Sequence, residues 1–182
     1  DQYPDATQNR QYITAIRTFS NSIRTAALTA MQTTIDRIVE RIEEKEIDQS
    51  GHKQTICVIG NKIELSRSGS HYLLPMRPIV FGGDDVTFVC DGRIGLSLAA
   101  FYVQEFSKQM LADGRPAYCR AGVAIVHSHY PFARGYELAE ELCGSAKRAI
   151  KKWKQESGTD VSAIDWHFAV GGLISDLRAV RE

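Results

Sequence analysis

A chain of 182 residues with 43% hydrophobic and 24% charged side chains is long enough to bury a core and reads as one globular domain over 1–182. Twenty-two basic residues balance 22 acidic ones, so no global positive field argues for wrapping nucleic acid, and any phosphate binding must be local. No apolar run approaches the roughly 18 residues of a membrane span and no signal peptide is visible, so the expected address is the cytoplasm.

Cys57, Cys90, Cys119 and Cys143 are dispersed, with no Cys-x-x-Cys step and no histidine at zinc spacing. All four sit in or beside apolar runs and are expected to be buried free thiols in a reducing compartment. The chain opens Asp1-Gln2-Tyr3-Pro4-Asp5 rather than with Met, as expected of a segment that starts partway into a longer protein. Over about 9–46, Tyr12, Ile16, Phe19, Ile23, Ala26, Ala30, Ile35, Ile38 and Ile42 recur mostly at three- and four-residue steps, with no Gly or Pro among them. That spacing predicts one long helix with a single apolar stripe. The charges between Arg37 and Glu46 predict a solvated end. Such a helix either overhangs a sheet or pairs with a partner helix.

Residues 55–59 read as a strand, Gly60-Asn61 as punctuation before 62–65, and 66–70 as a polar linker. Pro75 and Pro78 mark irregular backbone ahead of the most distinctive stretch, Ile79-Val80-Phe81-Gly82-Gly83-Asp84-Asp85-Val86-Thr87-Phe88-Val89. Two β-branched and aromatic runs around two glycines predict a tight hairpin. Glycine accepts positive φ and lets another group approach the backbone closely. Both runs read as buried strands. Asp84 and Asp85 then stand side by side at the rim of a sheet, where adjacent like charges repel unless a cation neutralises them. Mg²⁺ fits, because it takes one or two carboxylates and completes its shell with water and substrate phosphates.

Residues 95–111 read as a helix with Leu98, Phe101, Tyr102, Phe106 and Met110 inward, followed by a turn at 113–116. In 118–126, near-continuous apolar content predicts a strand covered on both faces. Residues 132–153 are strongly amphipathic, with Ala139, Leu142, Cys143, Ala146, Ile150 and Trp153 in one stripe. Glu137, Glu140 and Glu141 come early and Lys147, Arg148, Lys151, Lys152 and Lys154 late, the polarity that the helix dipole favours. A turn at 157–160 leads to a last strand at 163–170, then Gly171-Gly172 and a short tail. One more strand ahead of the first helix would complete a βαββαβ core.

Phe81-Gly82-Gly83-Asp84-Asp85-Val86, Ala121-Gly122-Val123-Ala124-Ile125 and Tyr136-Glu137-Leu138-Ala139-Glu140-Glu141-Leu142-Cys143-Gly144-Ser145-Ala146-Lys147 resemble, in that order, blocks of the polymerase/cyclase palm. The likeness is nearest to the CRISPR-associated palms, meaning the large polymerase subunit of type III CRISPR complexes and the stand-alone minimal CRISPR polymerases. The GGDEF diguanylate cyclases are more distantly similar. The resemblance covers about 75–172, a little over half the chain. It implies an α+β fold, the ferredoxin-like palm of βαββαβ type, here with an extended first helix and an extra C-terminal strand.

The resemblance further implies a nucleotidyltransferase dependent on Mg²⁺ (or Mn²⁺). Its substrates would be nucleoside triphosphates, ATP first among them, joined into cyclic di- or oligonucleotide second messengers of prokaryotic antiviral defence. By the same analogy Asp84 and Asp85 hold the metal ions, two of them about 3.5–4 Å apart, which activate the attacking hydroxyl and stabilise the leaving pyrophosphate. Gly82 and Gly83 let the nucleotide lie against the hairpin, and Lys147 matches a lysine that contacts the triphosphate. Cyclases of this kind bring two triphosphates together, which implies a homodimer. Nucleic acid is not required.

Taken on its residues alone, Lys147 borders the apolar stripe beside Cys143 and Ile150, and either snorkels toward the sheet edge or complements the helix dipole in solvent. Palms of this family also carry an acidic residue on a strand ahead of the first helix. Here only Asp1 and Asp5 precede it, on a segment without apolar flanks. Either that strand lies outside the sequence or the site is degenerate; the unpaired edges of a sheet lacking it favour the former. His127 and His129 share a face if extended but have no third ligand nearby. Asp165 and His167 share one strand face and read as polar decoration. The competing reading is an inactive palm that binds nucleotide or a partner protein. A ribonucleoprotein subunit would need a basic groove that the neutral charge does not supply.

Overall fold

The first helix sets the frame. In the computed structural model, which describes residues 5–46 and 53–169, α1 (Ala6–Val39) starts where the Asp5 carboxylate accepts from the Thr7 and Gln8 amides at 2.8 and 2.9 Å. This capping satisfies two of the donors that a first turn leaves open. The C-terminal half of α1 packs on α2 (Gly92–Ser107). Ala26, Ala27, Ala30 and Met31 share a core with Leu98, Tyr102 and Phe106. Every residue from Thr7 to Asn21 is exposed, so the N-terminal half overhangs the rest of the described chain.

The helix predicted over 9–46 ends at Val39, and the stretch beyond it corrects that expectation. Ile42–Glu46 forms β1, antiparallel to β2 (Lys53–Ile59), which pairs in turn with β3 (Asn61–Glu64). The Val58 amide donates to the Arg41 carbonyl at 2.8 Å, and Ile42 lies opposite fully buried Cys57. The helical preference of Glu, Lys and Arg is worth only tenths of a kcal/mol per residue. A strand ladder that brings Ile42 onto the core outweighs it. In place of the expected linker, β4 (Arg67–Ser68) and β5 (His71–Tyr72) form a short ribbon, with the Arg67 guanidinium 4.9 Å from the centre of the Tyr72 ring.

The predicted hairpin is present as β6 (Met76–Gly82) and β7 (Asp85–Cys90), with a register shift between Pro78 and Val80 where proline cannot donate to the ladder. The expected burial of both runs does not hold. Val86 and Phe88 pack on the main core, but Ile79 is 51% and Val89 46% exposed, and in β6 only Met76 is buried. The reason is position: α2 lies against β7 and β8, whereas among the described residues β6 pairs with β7 and no other strand. Asp91 caps α2 through the Arg93 amide at 2.9 Å and grips the Arg93 guanidinium with both oxygens. Its carboxyl is thereby held below the usual range.

The remaining unit is β8 (Arg120–Ile125), α3 (Phe132–Ser157) and β9 (Ala163–Phe168), with β8 and β9 parallel and Gly122 opposite Asp165. Ala121 packs on the core under α2, and Ala124 packs on Leu138 and Leu142 of α3. The strand is therefore covered on both faces, as its composition predicts. Expected residue 170 of the last strand, Gly171-Gly172, and Asp1 lie outside the described residues. The fold is α+β. Among the described residues the strands form one three-stranded and three two-stranded sheets, and no helix is long and apolar enough to cross a membrane.

The four cysteines are free. Burial pushes the Cys90 and Cys119 thiols from 9.0 up to about 11, with the Asp91 charge adding to the rise at Cys90 and the Ser162 hydroxyl opposing it at Cys119. In the unfolded chain both ionise first, so between pH 9 and 11 the unfolded state holds fewer protons than the folded one. The contribution to stability is complete below pH 9 and lost as pH rises through 11, on the order of 2 kcal/mol for each thiol. The urea midpoint is expected to fall across that window, and less steeply in a Cys90→Ala/Cys119→Ala variant.

Candidate functional site

The hairpin closes on a two-residue turn, Gly83-Asp84, with Gly82 opposite Asp85 as the last pair. Gly83 has φ +64, and among the described residues none other than glycine has positive φ. Positive φ at the first central position alone is the type II′ pattern, which matches the twist of the strands. The turn thus requires glycine at 83. It does not require it at 82, where φ is ordinary and an added Cβ would meet nothing within 4 Å. A side chain is missing at an open strand end, and the described fold supplies no reason for it. Asp84 and Asp85 are both exposed.

The hairpin is tied to the rest of the domain at its far end, through α2. An added Cβ at Gly95 of α2 would lie 3.5 Å from Cys90 Sγ and 3.9 Å from Val123 Cγ1, so α2 bridges the end of β7 and the middle of β8. At the start of β8, the Cys143 thiol of α3 donates to the Arg120 carbonyl at 3.9 Å. Burial pushes that thiol up, the Arg120 charge pulls it down, and the charges of Glu140 and Asp85 push it up again. Asp85 and Arg120 are thus both within electrostatic reach of one sulfur. Lys147 follows Cys143 by one helical turn and lines a cleft of about 150 Å³ with Arg120, Tyr118, Ile150 and Asp160.

Gly82, Gly83, Asp84 and Asp85 of the expected site stand together in the exposed turn, whereas Lys147 lies on α3 in the cleft, one helical turn from the Cys143 thiol that the Asp85 charge reaches. Lys147 is exposed and lines the cleft. Arg120 was not singled out by motif or spacing. The available signal was the alternation along β8, which puts it on the same face as Gly122.

Among the described residues no group of three or more His, Cys, Asp or Glu side chains could hold a metal ion. Asp5 is engaged in capping the far tip of α1 and supplies nothing to the turn. His127 and His129 are exposed in a turn closed by the Tyr130 amide and the His127 carbonyl at 2.9 Å. Asp165 and His167 lie opposite Gly122 and Ala124, on the α3 face. Two adjacent exposed carboxylates suit Mg²⁺ arriving with a polyphosphate, which needs one or two protein carboxylates, better than a metal caged by protein alone. In comparison with known proteins, the chain matches no protein-family model and no curated protein.

Proposed function

We propose that this chain is the palm-type core of a metal-dependent nucleotidyltransferase that converts ATP into cyclic di- or oligonucleotides, a cytoplasmic enzyme of prokaryotic antiviral defence. The observation that carries the reading is the tight Gly82-Gly83-Asp84-Asp85 turn, which sets two exposed carboxylates side by side at an open strand end, in a domain whose β8 and α3 present Arg120 and Lys147 to one cleft. Asp84 and Asp85 would hold Mg²⁺ or Mn²⁺, which when bound neutralises the triphosphate and favours ionisation of the attacking hydroxyl. Gly82 leaves room for the nucleotide against the strand end, and Lys147 offsets phosphate charge from α3. The test is incubation of the full-length protein with ATP and Mg²⁺, with products resolved by mass spectrometry. A cyclic adenylate is expected. Folded protein that binds ATP without turnover would instead support the inactive nucleotide-binding module, the reading favoured by the absence of a third acidic ligand among the described residues.

The enzyme is proposed to act as a homodimer paired through the overhang of α1. Tyr12, Ile16 and Phe19 are exposed there and continue, at alternating four- and three-residue steps, the seam that Ala26 and Ala30 bury below. Arg10, Arg17 and Arg24 recur every seven residues, on a row away from that seam, and the flanking positions Ile13, Ala15, Ser20 and Ser22 carry no charge. A second copy can therefore pair along it without like-charge repulsion. Light scattering is expected to show a dimer that becomes monomeric in Ile16→Glu/Phe19→Glu with the same thermal midpoint. A monomeric parent chain would overturn this pairing.

A further inference from the structure

Arg120 is the cation of this site that neither the hairpin nor the α3 lysine accounts for. It opens β8, and the two-residue period of a strand places it on the face of Gly122 and Ala124, toward α3. The Cys143 thiol of α3 donates to the Arg120 backbone carbonyl at 3.9 Å, and the Arg120 side chain shares a cleft with Lys147. The carboxylate lining that cleft, Asp160, is ion-paired with Lys154 at 2.7 Å. Among the described residues neither Arg120 nor Lys147 forms an ion pair. Two cations without an ion-pair partner facing one small cleft repel each other, and an anion long enough to touch both relieves the repulsion. A polyphosphate has that length. A planar guanidinium takes two oxygens of one phosphate, whereas an ammonium acts as a point charge on another.

Resting on the nucleotidyltransferase reading, we propose that Arg120 and Lys147 clamp the triphosphate tail of the nucleotide, Arg120 from β8 and Lys147 from α3. Arg120 thereby makes the site selective for triphosphates over monophosphates. The base and sugar fall to the hairpin side.

The test is calorimetric titration of the full-length protein with ATP, AMP and inorganic tripolyphosphate, comparing the parent with Arg120→Ala and Arg120→Lys. Thermal midpoints verify that the variants are folded. Arg120→Ala is expected to weaken ATP and tripolyphosphate roughly 10- to 100-fold, the loss typical of a charge-assisted bidentate contact. AMP binding should be little changed, and Arg120→Lys should recover only part of the loss. Equal weakening of ATP and AMP would assign Arg120 a merely structural role and overturn the clamp. So would unchanged tripolyphosphate binding in Arg120→Ala. If the parent binds tripolyphosphate through Arg120 but never turns over ATP, the clamp stands and the nucleotidyltransferase reading falls.

Discussion

Gly122→Ala is expected to unseat α3 from β8. A Cβ at this position would lie 2.0 Å from the Ala139 carbonyl oxygen, 2.4 Å from the Cys143 amide nitrogen and 3.0 Å from Leu142 Cβ. The first two are backbone atoms of a helix, so no rotamer change relieves the overlap. The helix must lift away, and with it fully buried Leu142 leaves its place against the sheet. Overpacking costs about 1–3 kcal/mol where side chains can adjust; here the loss should reach about 3 kcal/mol or more. Urea unfolding would show it as a lower midpoint, and ATP binding should weaken in parallel because α3 carries Lys147. An unchanged midpoint would mean that α3 sits farther from β8 than described.

Asp85→Ala should have the opposite profile, with catalysis lost and stability kept. The carboxylate is exposed at the first position of β7, so its removal should alter stability by no more than about 0.5 kcal/mol, as for ordinary surface changes. Turnover should fall by at least about 10³-fold, because holding a metal against the triphosphate is worth several kcal/mol in the transition state. Asp84→Ala/Asp85→Ala should show no product at all. Gly82→Ala separates space from charge: the added methyl meets nothing in the fold, so any loss of turnover in a variant of unchanged midpoint reports close approach by the nucleotide. Persistent ATP turnover in the double aspartate variant would place the chemistry elsewhere and sink the assignment.

The features legible from sequence are those whose causes are local. Two glycines between β-branched runs dictate the hairpin of β6 and β7, because the backbone itself supplies the turn. The 3.6-residue period and the charge polarity of 132–157 dictate α3 in the same way. Asp84 and Asp85 could be singled out because adjacent carboxylates in a turn are costly wherever the turn sits.

Other features depend on partners far along the chain. Ile42 fits the spacing of the α1 stripe, and only pairing with Cys57 makes it a strand residue. Ile79, Val80 and Phe81 have the same composition whether covered or bare, and the reach of α2 leaves them bare. Arg120 gains its meaning from α3 packed on the β8 face it shares with Gly122. Sequence thus determined the elements and the acidic turn, since torsional preference and periodicity act over a few residues. Tertiary structure alone decided which strands are covered and which cations share a cleft, because burial and proximity are set by packing between distant segments.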